Sequence, residues 1–260
     1  MSEPHDSTDP HDQAGAAGAG WFDAHVLIGA HPEQPAGRDR LDDHLQRYGL
    51  TGALAGSMLS WLHDPLSGNA AATAAASRTA GVRACWTAIP PTPGELTSLT
   101  ALVRQAVAAG VAAFRLYPHT HGYVVDDPAW SQFFDDLSGH RMPLCLNRTE
   151  IDWPTIDRIA GDHPELPMII SLVGYRELRT VATMLTRHDQ LHLDLVNFAT
   201  HQGLEWLVGA FGARRILFGT GFGLRDPGES MARLGWSGLS ETDVVTVGSA
   251  NAYRLFGGRP

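Results

Sequence analysis

The chain has 260 residues, of which 43% are hydrophobic and 18% charged, and its formal net charge at pH 7 is −9. These values suit a globular protein with a sizeable core, and no apolar run reaches the roughly 18 residues of a membrane span. Four of the negative charges lie within the first twenty residues. The remainder is therefore only mildly acidic, and no basic patch indicates a nucleic-acid partner.

The first twenty residues differ in composition from the rest of the chain. Residues 1–20 are rich in Asp, His, Gly and Ala, and they lack Lys, Arg and the apolar segment of a secretory signal. We expect a disordered tail there, followed by a single domain over residues 21–260. Cys85 and Cys145 lie in apolar, strand-like runs, which predicts buried thiols of a cytoplasmic protein rather than a disulfide.

The chain contains no lysine, because all 19 basic residues are arginine. Schiff-base chemistry, a pyridoxal-phosphate linkage and a carbamylated-lysine metal bridge are therefore excluded. Arginine stays charged, so it can bind a carboxylate or phosphate but is a poor general base.

Strand-like and helix-like segments alternate along the chain. Apolar runs predict strands at residues 21–29, 52–60, 82–89, 112–117, 143–147, 167–173, 191–196 and 215–220. Helical patterns cover residues 39–48, 69–80, 93–109, 129–137, 153–162, 177–187, 203–211, 229–234 and 240–256. Near-continuous apolar strands are typical of parallel sheets buried on both faces. Eight such units predict an α/β fold, a (β/α)8 TIM barrel.

A doubly wound open sheet is the competing fold. The glycines of Gly219-Thr-Gly221-Phe-Gly223 follow a predicted strand, as the glycines of a dinucleotide-binding turn do. The third glycine comes one position early, however, and the run follows the last strand rather than the first. The barrel is therefore favoured.

In a (β/α)8 barrel the active site lies at the carboxyl ends of the strands. The polar residues and Trp at the predicted ends are Asp23, His25, Ser57, Ser60, Trp86, Arg115, Tyr117, His119, His121, Asn147, Arg148, Ser171, Asp194, Asn197 and Thr220. A period of two would turn Asp23 and His25 towards one face of the first strand. The same period would point four alternate side chains in one direction: Arg115, Tyr117, His119 and His121.

Several segments resemble one family. Phe22-Asp-Ala-His-Val-Leu-Ile-Gly29 is similar to the first strand of the amidohydrolase-related, metal-dependent barrel hydrolases, which carries Asp-x-His-x-His. Arg215-Ile-Leu-Phe-Gly-Thr-Gly221 resembles their eighth strand, and Asn251-Ala-Tyr-Arg-Leu-Phe-Gly257 their C-terminal helix. The segments 114–123 and 126–128 also resemble one branch of that superfamily. The resemblance runs from residue 21 to the C-terminus and implies an amidohydrolase-like TIM barrel.

The metal site that this resemblance implies is degenerate. His25 matches the first histidine of the motif, but Leu27 stands in place of the second. Asn147 takes the position of the fifth-strand histidine, and Gly221 that of the eighth-strand aspartate. The sixth strand has Leu172-Val-Gly174 where His-x-Gly is usual. Since zinc needs three or four N, S or O ligands, we expect no metal and no other cofactor.

A rebuilt metal site is the alternative. His119 and His121 form a His-x-His of their own, and with His25 they could offer three nitrogens to one divalent ion such as zinc. Pro118 and Gly122 flank this pair and indicate a turn.

The first functional hypothesis is metal-independent hydrolysis of a lactone, ester or amide, as in the metal-independent lactonases of the superfamily. Arg115 would bind a substrate carboxylate, and His25 would act as the general base. Asp23 or Asp194 would orient His25, while Asn147 and Tyr117 would donate to the developing oxyanion. The remaining predicted substrate-binding residues are His119, His121, Arg148 and Thr220.

Two other hypotheses remain open. The superfamily branch also contains decarboxylases, which suggests carbon–carbon lysis as a second reaction. A non-catalytic barrel that binds a small molecule is the third, since most of the metal ligands are replaced. Each predicts a small-molecule partner and neither a nucleic acid nor a membrane, and a homo-oligomer is compatible with the sequence.

Overall fold

The computed structural model describes residues 20–31, 41–91, 94–126 and 128–257. Eight strands form one parallel sheet in the order β1 to β8. A parallel bridge between Val26 and Phe222, and a hydrogen bond from the Ala24 amide to the Phe218 carbonyl, join the last strand to the first. The predicted (β/α)8 barrel is therefore confirmed, and the open sheet is excluded.

All eight strands lie where the sequence places them, but most are shorter than predicted. They are β1 (Phe22–Ile28), β2 (Gly52–Ser57), β3 (Val82–Thr87), β4 (Ala113–Leu116), β5 (Leu144–Asn147), β6 (Met168–Ser171), β7 (Leu191–Asp194) and β8 (Ile216–Leu217). The second strand ends at Ser57, whose hydroxyl accepts a hydrogen bond from the Leu59 amide and caps a short helix. Ser60 therefore lies on a helix and not at the end of a strand.

The helices occupy the connections between strands and the C-terminal segment. They are α1 (Leu41–Arg47), α2 (Met58–Leu62), α3 (Pro65–Arg78), α4 (Leu99–Ala108), α5 (Pro118–His121), α6 (Pro128–Gly139), α7 (Trp153–Asp162), α8 (Leu178–Arg187), α9 (Gly203–Phe211), α10 (Pro227–Gly235), α11 (Glu241–Val245) and α12 (Asn251–Phe256). A π-helical turn, Thr246–Ala250, joins the last two. None of the described helices has the length and apolar content needed to cross a membrane.

Polar side chains cap the first turns of several helices. Asp64, Ser98, Asp152 and Ser240 each accept a hydrogen bond from a backbone amide in the first turn of the following helix. Such caps satisfy donors that the helix itself cannot. They thereby fix where these four helices begin.

Two apolar clusters form the core. The larger lies between the strands and the surrounding helices. The smaller lines the inside of the barrel and includes Phe22, Ala24, Leu54, Cys85, Ala113, Cys145, Ile169, Leu217, Ala252 and Phe256. Because the last two belong to α12, that helix packs against the interior strand residues.

The prediction for the cysteines can be compared with the structure, whereas most of the predicted tail cannot. Both cysteines are free and buried, as predicted. The predicted tail lies outside the described residues apart from Gly20, and so do the first two residues of the predicted helix 39–48.

Candidate active site

A β-bulge in β1 separates the two polar residues of the first strand. The pairing register of β1 against β2 shifts between Asp23 and Val26, and a bulge inserts one residue and turns the following side chains. Asp23 consequently bonds to His44 on the surrounding helix α1, whereas His25 bonds to Arg115 and Asp194 in the barrel interior. The prediction that Asp23 and His25 share a face is wrong, because strict alternation ends at the bulge.

The interior cluster centres on the guanidinium of Arg115. Its Nη1 contacts His25 Nε2, lies 3.1 Å from His25 Nδ1, and donates to Asn147 Oδ1 at 2.8 Å. These side chains come from β1, β4 and β5, and each is at most 3% exposed. Three strands therefore bring a cation, an imidazole and an amide together at one buried point.

Asp194 fixes the tautomer of His25. Asp194 Oδ2 lies 3.1 Å from His25 Nδ1 and also accepts a hydrogen bond from the Ser171 hydroxyl. Because a carboxylate can only accept, Nδ1 carries the proton, which leaves a lone pair on Nε2 facing Arg115. Gly219 provides space here, since a β-carbon on it would lie 3.3 Å from His25 Cβ and 3.4 Å from Asp194 Cβ.

The electrostatics of the cluster favour neutral imidazole and charged guanidinium. Burial, followed by the charge of Arg115, lowers the pKa of His25 from its usual value, against the opposing effect of Asp194. The pKa of Arg115 is raised: burial lowers it, but the acidic groups around it, first Cys145 and Tyr117 and then Cys85 and Asp194, outweigh that effect. The site thus holds a neutral base next to a permanent cation.

A second polar cluster lies between the sheet and α1. Asp23 Oδ2 accepts from His44 Nε2 at 3.0 Å and from the Thr220 hydroxyl, and Oδ1 accepts from the amides of His25 and Thr220 at 3.1 and 2.9 Å. The His44 ring stacks on Phe222, with ring centroids 4.0 Å apart. Asp23 therefore ties β1, α1 and the loop after β8 together, and it is Asp194 that contacts the His25 ring.

His44 was not among the predicted site residues. The signal was present, because Leu41, His44 and Leu45 recur at helical spacing and form the buried side of α1. A histidine among leucines on a buried helix face needs a polar partner. A cavity of about 470 Å³ next to this cluster is bordered by His44, Arg47, Tyr48 and the loop 222–227.

The fourth strand end does not continue as an extended chain. Pro118 begins the helical turn α5, which ends at Gly122 in the left-handed conformation. Tyr117 is buried beneath Trp61, with ring centroids 5.8 Å apart, and burial raises the pKa of its phenol. His119 is exposed, and His121 Nε2 donates to the Trp61 carbonyl at 2.9 Å. The expectation that His119 and His121 point with Arg115 is wrong because α5 rotates them away.

Glu150 joins two elements that cover this end of the barrel. Its carboxylate accepts from Trp61 Nε1 at 3.1 Å, from the Thr120 amide at 2.9 Å and from the Thr120 hydroxyl at 2.7 Å. It thereby links α2 to α5 above Tyr117. The cluster containing Trp61 and Glu150 was not predicted, since its partners lie 30 to 90 residues apart along the chain.

Arg148 and the rebuilt metal site are not part of the interior cluster. Arg148 forms an ion pair with Glu177 at 2.9 Å and lies over the Trp153 ring, 4.7 Å from its centroid. His25, His119 and His121 do not come together. Across the described ranges, no group of three or more His, Cys, Asp or Glu side chains is arranged to hold a metal ion.

Several solved structures share the fold of this chain. An uncharacterized TIM-barrel protein from Bordetella bronchiseptica has a TM-score of 0.72 at 17% identity, covering 90% of this chain and 97% of that one. For 2,6-dihydroxybenzoate decarboxylase from Rhizobium the values are 0.71, 15%, 92% and 98%. For 5-carboxyvanillate decarboxylase from Novosphingobium aromaticivorans, complexed with manganese, they are 0.73, 10%, 93% and 97%. A search of curated proteins gave no match.

The described side chains do not fit a divalent metal such as that manganese. Leu27 is 1% exposed and offers no ligand atom. Gly221 has φ +70°, and a β-carbon on it would lie 2.8 Å from Val196 Cγ1, so a carboxylate side chain there requires a backbone shift. Arg115 Nη1 already contacts the acceptor atoms of His25 and Asn147.

A match to a family model shows to which family the chain belongs. A family model described as "Amidohydrolase" matches residues 37–258, which is most of the barrel. That match agrees with the resemblance found in the sequence and with the similarity to the solved barrels. The chain belongs to the amidohydrolase family.

Proposed function

We propose that this protein is an enzyme that acts on a small, carboxylate-bearing molecule by acid–base chemistry. Arg115 would bind the carboxylate, and the His25–Asp194 pair would transfer the proton. One observation carries the proposal: a buried guanidinium lies against a neutral imidazole whose other nitrogen is held by a carboxylate.

The surroundings of Arg115 support an anionic ligand. The hydrogen bonds that Arg115 donates from Nη1 go to two neutral side chains, His25 and Asn147, and the residue is 3% exposed. A buried charge is unfavourable unless an opposite charge and hydrogen bonds compensate it. The nearby carboxylate of Asp194 is already used by His25, Ser171 and the Val196 amide. A substrate carboxylate would complete this arrangement, because guanidinium binds carboxylate through two parallel donors.

Hydrolysis of a lactone, ester or amide is the reaction that these side chains support best. A substrate carboxylate on Arg115 would compete for its donors and free the lone pair of His25 Nε2. That nitrogen would take a proton from water as the water oxygen attacks the substrate carbonyl, and would return it to the leaving oxygen or nitrogen. The amide nitrogen of Asn147 and the phenol of Tyr117 are the donors for the oxyanion.

Decarboxylation is the second candidate, and the similarity to the two decarboxylases favours it. In that reaction the carbon–carbon bond to the carboxylate breaks and carbon dioxide leaves. His25, after taking a proton from solvent at Nε2, would deliver it to the carbon that keeps the electron pair and return to the neutral imidazole. This reaction needs no water nucleophile, which is compatible with a buried site.

A substrate screen with two readouts tests the proposal. Carboxylate-bearing lactones, esters and amides are assayed for acid release, and hydroxylated aromatic carboxylates for carbon dioxide. Arg115→Ala and His25→Ala should each lower turnover by about 10²- to 10⁴-fold, measured at a temperature at which circular dichroism shows the variant to be folded. Arg187→Ala serves as the control, because Arg187 pairs with Asp157 on the outer helices.

Three outcomes decide between the hypotheses. Acid release supports hydrolysis, and carbon dioxide release supports the lyase. A ligand that binds tightly and is recovered unchanged would support the non-catalytic barrel. Full activity in either the Arg115 or the His25 variant would refute the roles assigned to them.

A further inference from the structure

We infer that Arg115 is a built-in cation that takes the position of a divalent metal in this barrel. Its Nη1 lies at the point where His25 and Asn147 direct their acceptor atoms. This inference goes beyond the proposed function, because it concerns which cation the site accepts, whatever reaction the site performs.

The geometry makes the guanidinium and a metal mutually exclusive. His25 Nε2 and Asn147 Oδ1 both contact the same nitrogen of Arg115. A metal bound to these two atoms would lie about 2.0–2.2 Å from each. That position falls within the volume of the guanidinium, and the positive charge of Arg115 would repel the ion in this water-poor interior.

The arrangement behind His25 is the one that a metal-bound histidine has. A metal-ligating imidazole usually donates its other N–H to a carboxylate, which fixes its tautomer and orientation. His25 does so to Asp194 at 3.1 Å, and Asp194 is itself held by Ser171 and the Val196 amide. The order cation, imidazole, carboxylate is therefore the one found at a metal-bound histidine, with guanidinium in place of the ion.

Arg115 is held in this position by its own sheet. In the barrel, Arg115 of β4 is in register with Thr87 of β3 and Cys145 of β5. On its other side Arg115 Nη1 is held by His25 and Asn147. Arg115 is thus a fixed part of the site and not a mobile surface arginine.

Metal titration of the full-length chain tests the inference. Mn²⁺ and Zn²⁺ binding is measured for wild type, His25→Ala, Arg115→Ala, the double variant and the control Arg187→Ala. We expect wild type, His25→Ala and Arg187→Ala to bind equally weakly. Arg115→Ala should gain affinity by about tenfold or more, and the double variant should lose that gain. A wild-type protein that binds one equivalent of metal, lost in His25→Ala, would overturn the inference.

Chemical rescue provides a second measurement that needs no metal. Methylguanidinium at millimolar concentration should raise the melting temperature of Arg115→Ala and leave that of Arg187→Ala unchanged. If Arg115→Ala does not fold, Arg115→Lys replaces it: a lysine that keeps the charge should keep wild-type indifference to metal.

Two further results would contradict the inference. A folded Arg115→Ala protein that responds to neither metal nor methylguanidinium contradicts the inference. An Arg115→Lys protein that gains the His25-dependent metal site also contradicts it. These readouts do not involve turnover, so an inactive substrate screen would refute the proposed function and leave this result standing.

Discussion

Asp23 and His25 lie two residues apart on one strand, yet they belong to two different environments. Asp23 accepts four hydrogen bonds and links β1 to α1 and to the loop after β8. His25 faces a cation that donates to neutral side chains. Asp23 thus has its acceptor positions used within the fold, whereas the buried guanidinium of Arg115 is where we propose that a ligand binds.

The largest expected effect comes from removing the saturated carboxylate. Asp23→Ala leaves the amides of His25 and Thr220, the Thr220 hydroxyl and His44 Nε2 without their acceptor. We expect a loss of about 3–5 kcal/mol in the free energy of unfolding, measured by urea denaturation. A loss below about 1 kcal/mol would mean that Asp23 is not the link between these elements.

Acid should destabilise the fold through two buried histidines, His25 in the Arg115 cluster and His192 beside Arg254. Burial, followed by neighbouring arginines, lowers the pKa of His192 to about 4, and the pKa of His25 is lowered for similar reasons. The unfolded chain binds these protons near pH 6.5 and the folded chain does not. Stability is therefore complete above about pH 6.5 and falls as the pH approaches 4.

The size of this effect can be measured residue by residue. For His192 the difference of pKa corresponds to about 3 kcal/mol, seen as a decrease in unfolding free energy between neutral and acid pH. His192→Asn should flatten the profile by that amount, and His25→Asn should flatten it further. A wild-type profile that is level over this range would show that neither histidine is held neutral.

The smallest effects separate two hydroxyl groups, one in each environment. Thr220→Val removes a donor to Asp23 and the acceptor of the Phe222 amide, which should cost about 2 kcal/mol of stability. Ser171→Ala removes one donor to Asp194 and should cost about 1 kcal/mol. The comparison requires Ser171→Ala to change turnover more than Thr220→Val does; the opposite order would place the catalytic pair at Asp23.

The barrel was predictable because its pattern is local and repeated. Each strand is an apolar run, each helix has its own period, and both survive small errors at the ends. The side-chain directions at the site were not predictable in the same way. The bulge at β1 breaks the period of two without a local sequence signal. Pro118 and Gly122 do indicate a turn, but they do not give the directions in which it points His119 and His121.

The pairing of the site residues could not be predicted, because the partners lie far apart in the sequence. Asp194 and Arg115 were named from the strand ends, but nothing local shows that both meet His25 and that Asp23 does not. His44 shows the opposite case, since its buried position on α1 can be read from the helical spacing while its partner cannot. Charged groups at strand ends can thus be found from sequence, and their pairing requires the closed barrel.

The conformation of Gly221 makes a metal-binding carboxylate difficult to introduce after the eighth strand. An aspartate at this position would need a left-handed backbone and would collide with Val196. Introducing that one ligand would achieve nothing while Leu27 and Arg115 remain, and removing Arg115 alone would leave the interior without its cation. Because each single substitution is unfavourable before the others, a metal site in this barrel would require several substitutions together.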